Sequence, residues 1–104
     1  MSAPGQGEIW WAEAEDKRRP VLVVTRSEVV EVLTSIVVAP VTRTIRDIPT
    51  EVPLGPDQGL REACVANFDS LQSVGRNSLT RRIGALGDGE RDGICAALRA
   101  LADC

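Results

Sequence analysis

The chain contains no histidine among its 104 residues. That absence excludes H-E-x-x-H zinc sites, Ser-His-Asp triads and any ribonuclease that uses a histidine pair as acid and base. Cysteine is sparse. Cys64, Cys95 and Cys104 are odd in number and lack C-x-x-C spacing, which removes zinc ribbons and fingers and leaves buried free thiols as the ordinary reading. No apolar run approaches the ~20 residues that cross a bilayer. The N-terminal MSAPGQGEIWW has no basic stretch followed by an apolar one, so no signal peptide and a cytoplasmic location are expected. Aromatic residues are only Trp10, Trp11 and Phe68, and lysine occurs once, at position 17. Any chemistry must rest on carboxylates, arginines, hydroxyls or a thiol.

What remains is an ordinary globular composition, with 43% hydrophobic and 26% charged residues. A mass of 11.2 kDa allows one domain over residues 1–104, with residues 1–6 expected to be disordered. Burial of roughly 65% of the unfolded surface is enough for a modest core without metals or disulfides. The net charge of −3 argues against a wholly basic nucleic-acid coat protein. Its distribution is uneven: eleven of the twelve cations are arginine, in short runs at Lys17-Arg18-Arg19, Arg43 with Arg46, and Arg81-Arg82. A guanidinium fork grips phosphate bidentately, although a GC-rich genome produces the same bias with no functional cause.

Residues 7–12 (GEIWWA) read as a first strand, and 20–25 (PVLVVT) as a second with proline at its tolerated first position. The charged segment Glu13–Arg19 between them reads as a loop. Ser27 can open a single helical turn, with a loop or bulge equally compatible. Leu33–Thr42 (LTSIVVAPVT) is the strongest strand signal, and Pro40 within it implies an edge or a bulge. Arg43–Thr50 reads as a loop, residues 51–54 as a short strand, 55–60 as a turn, Glu62–Phe68 as a strand and Arg81–Leu86 as the last strand. From Asp88, a plausible N-cap, the period changes: Ile94, Ala97, Leu98 and Leu101 make one apolar helical stripe. The fold class expected is mainly β, a small, partly open barrel of five to seven short strands with a C-terminal amphipathic helix. Its exposed strand edges favour a homodimer.

Three stretches in order, G-E-I-W-W-A, R-R-P-V-L-V-V-T-R and I-V-V-A-P-V-T-R-T-I-R, resemble the MazF/PemK (Kid) family of toxins from toxin–antitoxin pairs. V-A-N-F-D-S-L-Q-S-V falls where that family carries a D-Q-x-R-T segment, and R-x-I-G and the final helix follow in place. The resemblance runs from about Gly7 to Leu101. It implies a homodimer of SH3-like barrels that cleaves single-stranded RNA without metal or other cofactor, held inactive by a cognate antitoxin. Attack by the RNA's own 2′-hydroxyl would leave a cyclic phosphate and a 5′-hydroxyl.

Carried onto this chain, the resemblance gives three catalytic candidates. Arg19, just before the strand proline, would stabilise charge on the scissile phosphate; its alternative is a solvated loop arginine. Thr42 would hydrogen-bond the phosphate or orient the 2′-hydroxyl, or be a plain strand residue. Asp69 matches the acidic position to which some members assign a base, or is a turn carboxylate. Ser70 and Asn67 depart from the family pattern beside it, and Glu13, Glu15 and Asp16 are the carboxylates of a shortened first loop. Lys17, Arg18, Arg43, Arg46, Arg81 and Arg82 suit a groove that tracks RNA phosphates. Trp10 and Trp11, adjacent on a strand, must point to opposite faces, one into the core and one free to stack a base; Trp10 is taken as the RNA-binding one. A CcdB-like gyrase inhibitor shares the barrel but ends in Trp-Gly-Ile, whereas this chain ends ALRALADC. A catalytically dead RNA-binding relative is the third possibility.

Overall fold

A computed structural model describes residues 3–14 and 17–102. Seven strands form one curled antiparallel sheet: β1 (Glu8–Ala14), β2 (Lys17–Val23), β3 (Ser35–Thr42), β4 (Glu51–Leu54), β5 (Cys64–Asn67), β6 (Gln72–Gly75) and β7 (Leu79–Ala85). The order is β4-β5-β3-β2-β1-β7, with β6 also on β3. A single helical turn, α1 (Ser27–Val30), follows β2, and α2 (Asp92–Ala102) closes the chain. The result is a mainly β, open half-barrel with a C-terminal helix, as the strand pattern implied.

Alternation along β1 to β3 divides the apolar side chains between two cores. Ile9, Leu22, Ala39, Ala66 and Phe68 face the inside of the curl, where Ile94 and Ala97 of α2 cover them. Trp10, Val21, Val23, Ile36 and Val38 face the other way, under Val30 of α1 and Leu79. Burial on both faces explains why PVLVV and IVVA read as continuous apolar runs.

Pro40 marks neither an edge nor a bulge. It lies on the central strand, paired with Val21 of β2. On the opposite side of β3, β6 ends at Val38↔Gln72 and β5 begins at Val41↔Ala66. The residue without an N–H donor thus occupies the gap between two ladders, where no partner strand calls for one.

Four further boundaries differ from expectation. In the expected loop Glu13–Arg19, the described residues are strand, and β1 pairs with β2 out to Ala14↔Lys17. Backbone pairing needs no apolar face when both arms project into water, so charge alone misleads there. Gly5 and Gln6 are anchored rather than disordered: the Gly5 N–H donates to Glu8 Oε1 at 2.8 Å and the Gln6 N–H to Ser27 Oγ at 2.8 Å. The segment 71–80 resolves into β6, a 3-10 turn at Arg76–Ser78 and the start of β7. Asp88 does not cap α2, which begins at Asp92; Glu90 instead folds back to accept the Gly87 N–H at 2.9 Å.

The two ends of the curled sheet, β4 and β7, are bridged by the 3-10 turn Pro56–Gln58. Gly59 follows it at φ +91°, a left-handed conformation that suits glycine. Gln58 is buried with both ends of its amide satisfied, accepting from the Gly55 N–H at 2.7 Å and donating to Glu90. This seam carries residues 59–62 to the mouth of the half-barrel.

Candidate functional site

On the face of the sheet shared by Trp11 and Pro20, the curl leaves an open cleft of about 700 Å³. Pairing explains what lines it. Trp11 is opposite Pro20 on β2 and Arg81 on β7, so all three project from one face. Val41, Leu60 and Ile83 extend the apolar floor, and Thr42, Arg43, Arg61, Glu62 and Arg82 form the rim. Arg18, diagonal to Trp11 across the hairpin, lays its guanidinium 4.7 Å from the indole centroid. A chain of net charge −3 thus concentrates five guanidinium groups around one apolar floor.

Their tethering differs. Arg43 Nη1 meets Glu62 Oε1 at 3.0 Å, between largely exposed side chains. Arg82 Nε donates to Glu8 Oε2 at 3.2 Å, while Trp10 Nε1 and the Gly5 N–H donate to Glu8 Oε1. Arg61 and Arg81 have no ion pair or side-chain hydrogen bond among the described residues, so both are available to an anion.

Glu8 fixes Arg82, the Trp10 indole and the N-terminal segment at once. Burial pushes its carboxyl up, but the donors from Gly5, Trp10 and Arg82, with the Arg82 charge, outweigh that and hold it below its ordinary 4.5. A depressed carboxyl contributes stability that is complete above the unfolded value and is lost as pH falls through the folded one. Glu8→Gln is therefore expected to lower stability at pH 7 by roughly 1–2 kcal/mol. The gap from wild type should shrink below about pH 4.5, as read by thermal melts across pH; a gap that widens in acid would refute this.

The catalytic candidates fall in two places. Thr42 lines the cleft, and its Oγ1 accepts the Thr44 N–H at 3.1 Å, which leaves the hydroxyl proton free to donate. Arg19 is exposed on β2 opposite Ala12. The β2–β3 pairing ends at Val21↔Pro40, and Arg19 is the strand neighbour of the cleft-lining Pro20, so its side chain leaves on the Ala12 side of β2, opposite the cleft floor. Asp69 is elsewhere. It lies in the 3-10 turn after β5, where Oδ2 accepts the Thr50 hydroxyl at 2.6 Å and its N–H donates to Asn67 Oδ1. Thr42 pairs with Val65, whereas Asp69 follows four residues later, beyond the end of β5, and is not among the residues that line the cleft. Within one chain the structure does not bring Asp69 to Thr42.

Of the RNA-binding candidates, Arg18, Arg43, Arg81 and Arg82 meet at the cleft. Lys17 is exposed at the hairpin tip, and Arg46 lies in the loop before β4, where its N–H donates to Glu51. Trp10 is the core tryptophan, 8% exposed and packed on Val21 and Leu79, so the indole at the cleft is Trp11. Glu13 is exposed on the hairpin arm, whereas Glu15, Asp16 and Cys104 lie outside the described residues. Arg61, Glu62 and Cys64 at the cleft were not legible as site residues, because the turn at 55–60 hides how β5 enters the sheet. Burial pushes the Cys64 thiol above its ordinary 9.0 and the Glu62 charge adds to this, so it is no nucleophile at neutral pH.

Comparison with known proteins agrees with this architecture. The signature of PemK-like, MazF-like toxins of type II toxin–antitoxin systems matches residues 5–102. The chain is 41% identical over 103 residues to the probable endoribonuclease MazF5 of Mycobacterium tuberculosis (strain ATCC 25618 / H37Rv), covering 97% of this chain and 94% of that one. Among solved structures, the Mycobacterium tuberculosis toxin MazF-mt6 superposes with a TM-score of 0.86 at 36% identity, covering 92% of this chain and 96% of that one. An endoribonuclease in complex with its cognate antitoxin, from a mycobacterial species, gives 0.84 at 26% identity, covering 97% and 96%. With fold, length and strand order shared throughout, the chain belongs to the PemK/MazF family of type II toxins.

Proposed function

We propose that this protein is a toxin endoribonuclease that cuts single-stranded RNA in the arginine-rimmed cleft and is neutralised by a cognate antitoxin. The observation that carries the proposal is the five guanidinium groups gathered at the Trp11 cleft in an acidic chain, four in its lining and Arg18 over the indole. An apolar floor with a cationic rim suits a strand whose bases stack and whose phosphates pair with arginine. Family membership supports the activity, since relatives are named as endoribonucleases and one is solved with its antitoxin.

The chemistry we assign is metal-independent transesterification. The 2′-oxygen attacks the adjacent phosphorus, the P–O5′ bond breaks, and the products carry a 2′,3′-cyclic phosphate and a 5′-hydroxyl. Arg19 supplies fixed positive charge and Thr42 a hydroxyl donor to the developing phosphorane. Asp69 is the family-matched base, and the family resemblance together with the open edges of the sheet supports two copies of the chain acting together. A homodimer is therefore part of the proposal.

Incubation of the purified, antitoxin-free protein with a long mixed-sequence RNA in excess EDTA is the test. Discrete fragments with 5′-hydroxyl ends are expected. Cleavage that requires an added divalent ion would discard the transesterification route, and no cleavage together with inhibition of gyrase supercoiling would favour the CcdB-like alternative.

A further inference from the structure

A carboxylate is out of place in a groove built for a polyanion. Glu62 is nevertheless the one acidic side chain among the residues lining the cleft, set beside Arg43, Arg61, Arg81 and Arg82. It is 62% exposed, and only Oε1 is engaged, by Arg43 at 3.0 Å; Oε2 has no partner among the described residues. An exposed ion pair of this kind adds little to folding. Phosphate at this wall would be repelled, so the group that Glu62 receives must present N–H donors. The base edge of the same RNA does so.

We propose that Glu62 reads a nucleobase: it accepts a hydrogen bond from the exocyclic amino group of a base seated in the cleft and so selects an amino-bearing base over uracil. An ionised carboxylate is acceptor-only. The N4 amino group of cytosine and the N6 amino group of adenine donate to it, while uracil turns the O4 and O2 carbonyl oxygens to either side of its single N3–H. Arg43 holds one carboxylate oxygen and leaves the other for the base. Trp11 and the Arg18 guanidinium over it provide the flat surface on which that base rests. The inference rests on the proposal that RNA occupies this cleft, and it adds the residue that gives the cleft its base preference.

Binding separates the two claims. Cytidine, adenosine and uridine hexamers carrying 2′-O-methyl groups cannot be cleaved, and their affinities for the wild type and for Glu62→Gln are read by fluorescence anisotropy. The wild type is expected to bind the cytidine or adenosine hexamer at least ~10-fold more tightly than the uridine hexamer, and the arms show which amino base fits. In Glu62→Gln, whose amide both donates and accepts, that ratio is expected to fall below about threefold, with the melting temperature unchanged. Equal wild-type affinities for all three, or a preference that survives in Glu62→Gln, would overturn the proposal. A preference without any cleavage of natural RNA would keep Glu62 as the reader and remove the endoribonuclease assignment. Cleavage without the preference would do the reverse.

Discussion

Arg19→Ala is expected to lower the rate of RNA cleavage by at least about 10²-fold, while affinity for a non-cleavable RNA changes by less than about tenfold. The split follows from where charge develops. In the ground state the scissile phosphate carries one negative charge, which the Arg43, Arg61, Arg81 and Arg82 rim already attracts. In the phosphorane a second charge appears, and a guanidinium fixed beside it stabilises that state selectively. Arg19 sits on a paired strand rather than a free loop, as the neighbour of the cleft-lining Pro20. Arg19→Lys keeps the charge but loses the fork, so it should recover only a small part of the rate. Single-turnover kinetics on a short RNA containing the cleavage site, beside anisotropy on its 2′-O-methyl form, read both quantities. Near-wild-type rates in Arg19→Ala would remove it from the site, and an equal loss in rate and affinity would make it a binding residue only.

Gly84→Ala is expected to destabilise the fold by about 3 kcal/mol or more, a large share of the roughly 5–15 kcal/mol that holds a small domain. A Cβ at position 84 would stand 1.9 Å from the Gln58 carbonyl oxygen and 2.7 Å from its carbon. Those are backbone atoms in the turn that seals β4 to β7, so no side-chain rotation relieves the clash, and overpacking of this kind must move the turn. Gly59 faces the same seam from the other side, where a Cβ would lie 2.6 Å from the Ile83 oxygen. Because Leu60, Arg61 and Glu62 leave from that turn into the cleft, RNA affinity should drop even below the melting temperature. Gly75→Ala is the control, since a Cβ there meets nothing within 4 Å. A drop of more than about 10 °C for Gly84→Ala and less than about 3 °C for Gly75→Ala is expected by calorimetry. Equal behaviour would show that the seam is not tightly packed.

Much of this architecture was legible in the residues. PVLVV and IVVA declared strands buried on both faces, and Ile94, Ala97 and Leu98 declared the helix that caps the inner core. The family resemblance pointed to Arg19 and Thr42; Thr42 lines the cleft, and Arg19 is exposed on β2 beside it. Local signals failed where tertiary pairing decided. A charged run broken only by Ala14 concealed the pairing of β1 with β2, because a ladder between exposed arms leaves no hydrophobic imprint. Pro40 implied an edge because a single sequence cannot show that β3 changes partner at that residue. The choice between Trp10 and Trp11 was undecidable for a similar reason: alternation fixes that they oppose each other but not that α1 and Leu79 close over the Trp10 side. The seam glycines gave no warning either, since Gly84 is constrained by Gln58 and Gly59 by Ile83, each far away along the chain.

The most direct test of the cleft is the salt dependence of binding to a non-cleavable single-stranded RNA, for the wild type and for Arg61→Ala and Arg81→Ala. Each phosphate neutralised by a protein cation contributes about −0.7 to the slope of log affinity against log salt on a single strand. Both side chains lack an ion pair or side-chain hydrogen bond among the described residues, and both line the cleft. If they hold RNA phosphates, each variant should lose about 0.7 from the slope, and the double variant about 1.4, with melting temperatures unchanged. Slopes identical to wild type would place the RNA on another face of the protein and contradict the cleft as its binding site.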